Sequence, residues 1–161
     1  AEFVGRFVYP DRKGLPVLSL TADTAFLTAW ANDIGYEKVF ARQVETFGSP
    51  GDLLIGISTS GRSCNLIEAF EAAAAAGLRT VALLGGDGGE LLPLADLAMV
   101  VPSANGQRIQ EVHILILHML AEMVEMHFVA RPGYVNSLEM DEQKSWDLDS
   151  AIPVDLEGGH P

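Results

Sequence analysis

Cysteine is nearly absent from this chain: Cys64 is alone among 161 residues, which excludes an intrachain disulfide. Its place at an expected helix start, before Asn65 and Leu66, reads as a small packed side chain rather than a nucleophile. Basic residues are scarce as well. Ten Lys and Arg face 22 Asp and Glu, for a formal net charge of −12. That balance opposes nonspecific binding to nucleic acid and repels a phosphorylated metabolite at long range, so any phosphate affinity has to be local. No apolar run approaches the roughly 20 residues that span a bilayer, and the first residues lack the basic and apolar regions of a signal peptide. The expectation is a cytoplasmic protein with no membrane and no nucleic-acid partner. Neither GK[ST] nor GxGxxG occurs, so nucleotide hydrolysis and nicotinamide chemistry lose support.

What the chain does have is apolar content, 48% of residues, in segments of two alternating kinds. This is enough for one full core. Pro16 to Thr21 reads as a short strand, Thr24 to Ala31 as a helix, and Glu37 to Phe47 as a helix stopped by Gly48. Leu53, Leu54, Ile55 and Ile57 read as a buried parallel strand. Asn65 to Ala76 is an alanine-rich helix ended by Gly77, Thr80 to Leu84 a strand, and Gly85 to Gly89 a glycine-rich turn. Leu97 to Val101 is a further strand, and Arg108 to Phe128 a long helix. Alternating strands and helices predict an α/β fold with a parallel sheet covered on both faces.

The segment from Gly51 to Leu66, GDLLIGISTSGRSCNL, carries the strongest functional signal. An apolar strand empties into the hydroxyls of Ser58, Thr59, Ser60 and Ser63, Gly61 permits a tight turn, and a helix follows. The N–H groups and positive dipole end of that helix face the loop, an arrangement that holds a dianion without lysine. Spacing alone leaves a second reading open, an ordinary capped strand-to-helix turn. Ligands of parallel sheets bind beyond the carboxyl ends of the strands, where this loop lies.

The long helix is apolar on most sides through Ile109, Val112, Leu115, Ile116, Met119, Leu120 and Met123, which predicts burial against the sheet and another helix, including one from a second subunit. Gln110, Glu111, His113 and His118 interrupt it. Gln110 and His118 stand roughly 12 Å apart along the axis at 1.5 Å per residue. For any one of these histidines, a core role with one satisfied hydrogen bond is the commoner explanation. Residues 130 to 161 carry seven acidic residues against Arg131 and Lys144, with no sustained periodicity. They read as an acidic tail, extended over a neighbour or partly disordered, anchored by Tyr134, Leu138, Trp146 and Ile152.

STSGRSCN after GDLLIGI, the GGDGGEL turn and RIQEVHILILH, in this order and spacing, resemble the sugar isomerase (SIS) domain family, and within it the phosphoheptose isomerases. AEFVGRF resembles that family's segment ending in E-L-T-G-R-Y, and Ala31, Asn32 and Asp33 its A-N-D segment. The resemblance implies a flavodoxin-like three-layer αβα fold, with an SIS domain over residues 1–129 and the tail over 130–161. It also implies that an N-terminal helix, a first strand with a Gly-Asn-Gly-Gly-Ser-like loop, and a histidine shortly before Glu2 are missing from the 161 residues, which should not form an intact sheet alone.

The implied activity interconverts D-sedoheptulose 7-phosphate and D-glycero-D-manno-heptose 7-phosphate, in precursor synthesis for lipopolysaccharide or related heptoses, by a cytoplasmic homotetramer. By resemblance, Ser58, Thr59, Ser60 and Ser63 hold the phosphate, Asn32 and Asp33 contact sugar hydroxyls, and Arg6 lies near the site. Glu2 and His118 are the implied catalytic pair, and Gln110 joins them at the substrate and, in zinc-bound members, at the metal. Without the resemblance, Glu2 reads as a solvated terminal carboxylate. Arg62 stands where the family often has asparagine, and either contacts phosphate or points to solvent. Moving a carbonyl between C1 and C2 needs a base for a carbon-bound proton and an acid for the oxygen, roles that glutamate and histidine can exchange. Burial would help Glu2 by raising its pKa. The chief rival is a noncatalytic scaffold resembling the SIS-fold proteins that associate with a replication initiator, which generally lack this glutamate and this histidine; a sugar-phosphate sensor ranks below it.

Overall fold

Three parallel strands set the frame of the computed structural model, which describes residues 1–130. They are β1 (Leu53–Ser58), β2 (Arg79–Gly85) and β3 (Leu97–Val101), paired in the order β1-β2-β3. Leu54 stands opposite Thr80 and Ser58 opposite Leu84, while Val81 stands opposite Leu97 and Gly85 opposite Val101. Four helices accompany them: α1 (Thr24–Asp33), α2 (Val39–Phe47), α3 (Cys64–Ala76) and α4 (Gly106–Val129). Asp23 caps α1 by accepting the Phe26 N–H, Asn105 caps α4 through the N–H groups of Gln107 and Arg108, and Gly77, at φ +77°, ends α3 in the left-handed conformation. The acidic tail and its expected anchors, Tyr134, Leu138, Trp146 and Ile152, lie outside the described residues.

The core forms on one face of the sheet. Leu54, Ala82 and Leu84 meet Ala69, Phe70 and Ala73 of α3, with Val44 of α2, Leu78 and Leu91 closing the cluster. Small residues on α3 bring it close, and Gly56 makes room for the Phe70 ring, which lies 2.4 Å from where a Cβ would stand. By the alternation of the strand, Gly85 points to the other face, and there Ile109 of α4 occupies the space a side chain would need. Helices thus lie on both faces, giving the α/β architecture expected from the alternation of elements.

Four expectations change. Pro16 to Thr21 is not a strand; its backbone finds local partners instead, Val17 N–H donating to Leu15 O and Ala22 N–H to Ser19 O. Only Leu54 of the four apolar β1 residues is buried, whereas Leu53, Ile55 and Ile57 are exposed because α4 covers the second face only near the end of β2. Likewise α4 is buried along one stripe, Ile109, His113, Ala121 and Glu125, and leaves Leu115, Met119 and Met123 exposed. By length and composition this 24-residue helix is sufficient to cross a membrane, contrary to the expectation that no segment approaches that length. Its buried stripe carries His113 and Glu125, both bonded to other parts of the chain.

Phe70 is fully buried at the centre of the cluster. Phe70→Ala is expected to destabilise the fold by about 3–5 kcal/mol, read as a lowered urea midpoint with an unchanged slope.

Candidate active site

Backbone closure builds the loop after β1. Ser58 is buried at the strand end; its Oγ accepts the Gly61 N–H at 3.0 Å and shares a hydrogen bond with Ser63 Oγ at 3.1 Å. Gly61 adopts φ +63°, and a Cβ there would lie 1.9 Å from Gly88 O, so glycine is required by both conformation and contact. Leu91 N–H donates to Gly61 O at 2.9 Å. The hydroxyl loop and the glycine-rich turn after β2 are therefore packed backbone to backbone. Ser63 takes the N-cap position of α3 but makes no side-chain capping bond, and Ser60 Oγ accepts the Arg62 N–H at 3.2 Å just before the helix.

Arg62 is exposed at the loop, one of its two expected courses, and is also paired there. Its guanidinium pairs with Asp87 at 2.6 Å and donates to Ser60 O at 3.0 Å, tying the two loops together. The Arg62 hydrogen bond, with the Gly89 N–H, holds the Asp87 carboxyl below the ordinary range. Cys64, expected to be packed, is exposed at the start of α3.

The second group of residues lies along α4. Phe7 stacks on the His118 ring at 5.7 Å, which sets the segment that bears Glu2 beside this part of α4. Glu2 lies below its ordinary value first because its own backbone N–H bonds the carboxylate, then through the amino group of Ala1. Burial, expected to favour a base by raising it, is outweighed: the side chain is 40% exposed and the net shift is downward. His118 is exposed rather than a core residue, while His113 is the core histidine, buried with Nε2 2.9 Å from Leu84 O. Gln110 and Arg6 are exposed. Asn32 and Asp33 end α1 and are bonded to each other, Asn32 Nδ2 donating to Asp33 Oδ1 at 2.9 Å. No hydrogen bond joins them to the other candidate residues among the described ones. The pocket lined by Leu18, Phe26, Gln43 and Phe47 contains none of the candidates.

Zinc in a protein site generally takes at least three protein ligands. Among the described residues no three of His, Cys, Asp and Glu gather, so Glu2 and His118 would need the amide oxygen of Gln110 and a further donor. The donor set present does not make a zinc centre by itself.

The pair that sequence reasoning missed is Arg12 and Glu125. Both side chains are 1% exposed; Arg12 Nε bonds Glu125 Oε1, and Glu125 also accepts the N–H groups of Phe7 at 3.0 Å, Val8 at 2.6 Å and Tyr9 at 3.3 Å. The signal for it was present, since Glu125 falls on the same helical stripe as Ile109, His113 and Ala121. Burial alone would raise the Glu125 carboxyl, but Arg12 and the three N–H groups outweigh it and hold the pKa below 4.5. A depressed folded-state pKa contributes stability that is present above the unfolded value and lost as pH falls through the folded one. Stability is therefore expected to hold from neutral pH to about 5 and to fall in more acidic solution. Glu125→Gln, which strands a buried guanidinium, should cost about 3–5 kcal/mol at pH 7 and flatten that acid limb in denaturation series run from pH 7 to 3.

Comparison with known proteins identifies the family and the fold. The family described as SIS domain matches residues 1–85. The phosphoheptose isomerase of Helicobacter pylori strain Shi470 is 55% identical over 128 residues, covering 80% of this chain and 66% of its own length. The chain thus spans just under two thirds of that relative. Among solved structures, a phosphoheptose isomerase from Francisella tularensis aligns with a TM-score of 0.75 at 37% identity, over 78% of this chain and 67% of its own. One from Neisseria gonorrhoeae aligns at 0.66 and 44% identity, over 66% and 61%.

Proposed function

Because this chain belongs to the SIS domain family, we propose that it is an aldose–ketose isomerase acting on D-sedoheptulose 7-phosphate and D-glycero-D-manno-heptose 7-phosphate. The observation that carries the reading is the stacking of Phe7 on His118 at 5.7 Å, which brings the segment bearing Glu2 to the part of α4 that bears His118. The hydroxyl loop supports it independently. Thr59 O lies against Gly85, where Ile109 of α4 also packs, and His118 follows nine residues later, roughly 13 Å along the helix axis. An anionic end and a reacting carbonyl end of one ligand suit such a separation.

In this proposal the phosphate lies on Thr59, Ser60 and Ser63 at the α3 N-terminus, with Ser58 shaping the loop from beneath. Asn32, Asp33, Gln110 and Arg6 take the sugar hydroxyls. From the ketose, the Glu2 carboxylate removes a proton from C1 while His118 donates one to the C2 carbonyl oxygen, giving the enediol. Glu2 then returns its proton to C2, and His118 removes the proton from the C1 oxygen, leaving the aldehyde. A depressed pKa keeps Glu2 ionised at neutral pH, which favours the right protonation state at the expense of basicity. Zinc would need a further donor beside Glu2, Gln110 and His118, and with one it would polarise the sugar oxygens. The proposal extends to a cytoplasmic homotetramer supplying heptose precursors of lipopolysaccharide; the apolar residues exposed on α4 support a subunit contact.

Purified full-length protein that contains this sequence is expected to isomerise sedoheptulose 7-phosphate, assayed with zinc and with a chelator. His118→Ala should lower kcat by about 10²–10⁴-fold, the usual range for losing a general acid–base group, while Ser60→Ala should act mainly on KM. Absence of turnover together with tight binding to a replication initiator would favour the scaffold instead.

A further inference from the structure

A carboxylate on the buried stripe of a helix is costly unless it is fully bonded. Glu125 meets that cost with three successive backbone N–H groups, from Phe7, Val8 and Tyr9, and with Arg12. Arg12 in turn sends its remaining donors to backbone carbonyls, those of Phe3 at 2.9 Å, Lys13 at 3.0 Å and Glu2. The first fifteen residues contain no helix or strand, so their path is fixed by these contacts and by the Leu15 N–H donating to Phe3 O. One buried ion pair is the hub of the whole segment.

The same hub reaches both members of the candidate pair. Glu2 is held through its carbonyl by Arg12, and Phe7, held through its N–H by Glu125, lays its ring on His118. Glu125 and His118 are seven residues apart on α4, two turns of one helix face and roughly 10 Å. The segment is therefore strapped to α4 at position 125 and lies back along it to position 118. None of these residues belongs to the hydrophobic cluster between the sheet and α3.

We propose that Arg12 and Glu125 are positioning residues, which hold the segment bearing Glu2 against His118 and so set the geometry of proton transfer. The kinetic consequence rests on the isomerase reading; the geometric claim does not. An ion pair that served stability alone could be exchanged for apolar side chains of similar volume with little loss. A pair that positions cannot be exchanged, because no apolar side chain bonds the N–H groups of residues 7 to 9 or the carbonyls of residues 2, 3 and 13.

The test is the double variant Arg12→Met with Glu125→Leu in the full chain. It is expected to fold with core methyl resonances of Leu83, Leu84 and Val39 unchanged, and to lose the ring-current shift that Phe7 imposes on His118 Hε1. Its kcat should fall about 10–100-fold, the scale of an ångström-sized misplacement, with KM for sedoheptulose 7-phosphate within twofold of the parent. Retention of the His118 shift, or a kcat within threefold of the parent, would overturn the proposal. So would a parallel change in KM and in the core methyls, which marks a merely structural role. If the parent has no isomerase activity, the proposed reaction fails and the His118 shift alone decides the positioning claim. Should the double variant not fold, Arg12→Lys keeps a cation beside Glu125 but cannot span the three carbonyls; the same loss of the His118 shift is expected, and its retention would refute the inference.

Discussion

Parallel pairing of β1 with β2 is the constraint on which the site depends. Because Ser58 stands opposite Leu84, both strands release their chains at the same edge, and the loops that follow must share that space. They do so through glycine: Gly61 meets Gly88 and Gly89 backbone to backbone, and no side chain fits between them. The loop that carries residues 59, 60 and 63 is consequently fixed ahead of α3 by main-chain geometry. Arg62 and Asp87 add a surface pair across the same junction, a contact worth little by itself.

Opposite this rigid edge the chain uses a different device. The segment before α1 has no regular structure, and its order comes from charge buried on α4. Glu125 and Arg12 make their seven hydrogen bonds only if residues 2 to 13 follow one path, so a polar hub does for this segment what a hydrophobic cluster does for α2 and α3. Two kinds of cohesion thus support the candidate residues, apolar packing beneath the hydroxyl loop and a charge-assisted network beneath Glu2 and Phe7.

Periodicity made the regular elements legible: the strand over Leu97–Val101 matches its expected bounds, and α2, α3 and α4 differ from theirs by a few residues at the ends. The hydroxyl loop was legible because strand, Gly61 and helix follow one another directly. Apolar composition misled at Leu53, Ile55 and Ile57, since a run of aliphatic residues does not reveal whether the second face of its strand is covered. Local pattern also misled at Pro16 to Thr21, where a strand-like sequence lacks a strand to pair with. Glu2 and His118 emerged from resemblance, because nothing local to either residue announces a partner 116 positions away. Arg12 was invisible for the same reason, while Glu125 announced itself only as a charge on an apolar stripe, a signal that becomes readable once the stripe is fixed by Ile109, His113 and Ala121.

The central claim is that one sugar phosphate bridges the hydroxyl loop and the Glu2–His118 pair. A crystal structure of the protein bound to sedoheptulose 7-phosphate tests it most directly. The account expects the phosphate within hydrogen-bond distance of the residue 59, 60 and 63 hydroxyls, and C1 and C2 between the Glu2 carboxylate and the His118 imidazole. A phosphate bound away from that loop, or a carbonyl end that reaches neither side chain, would contradict it.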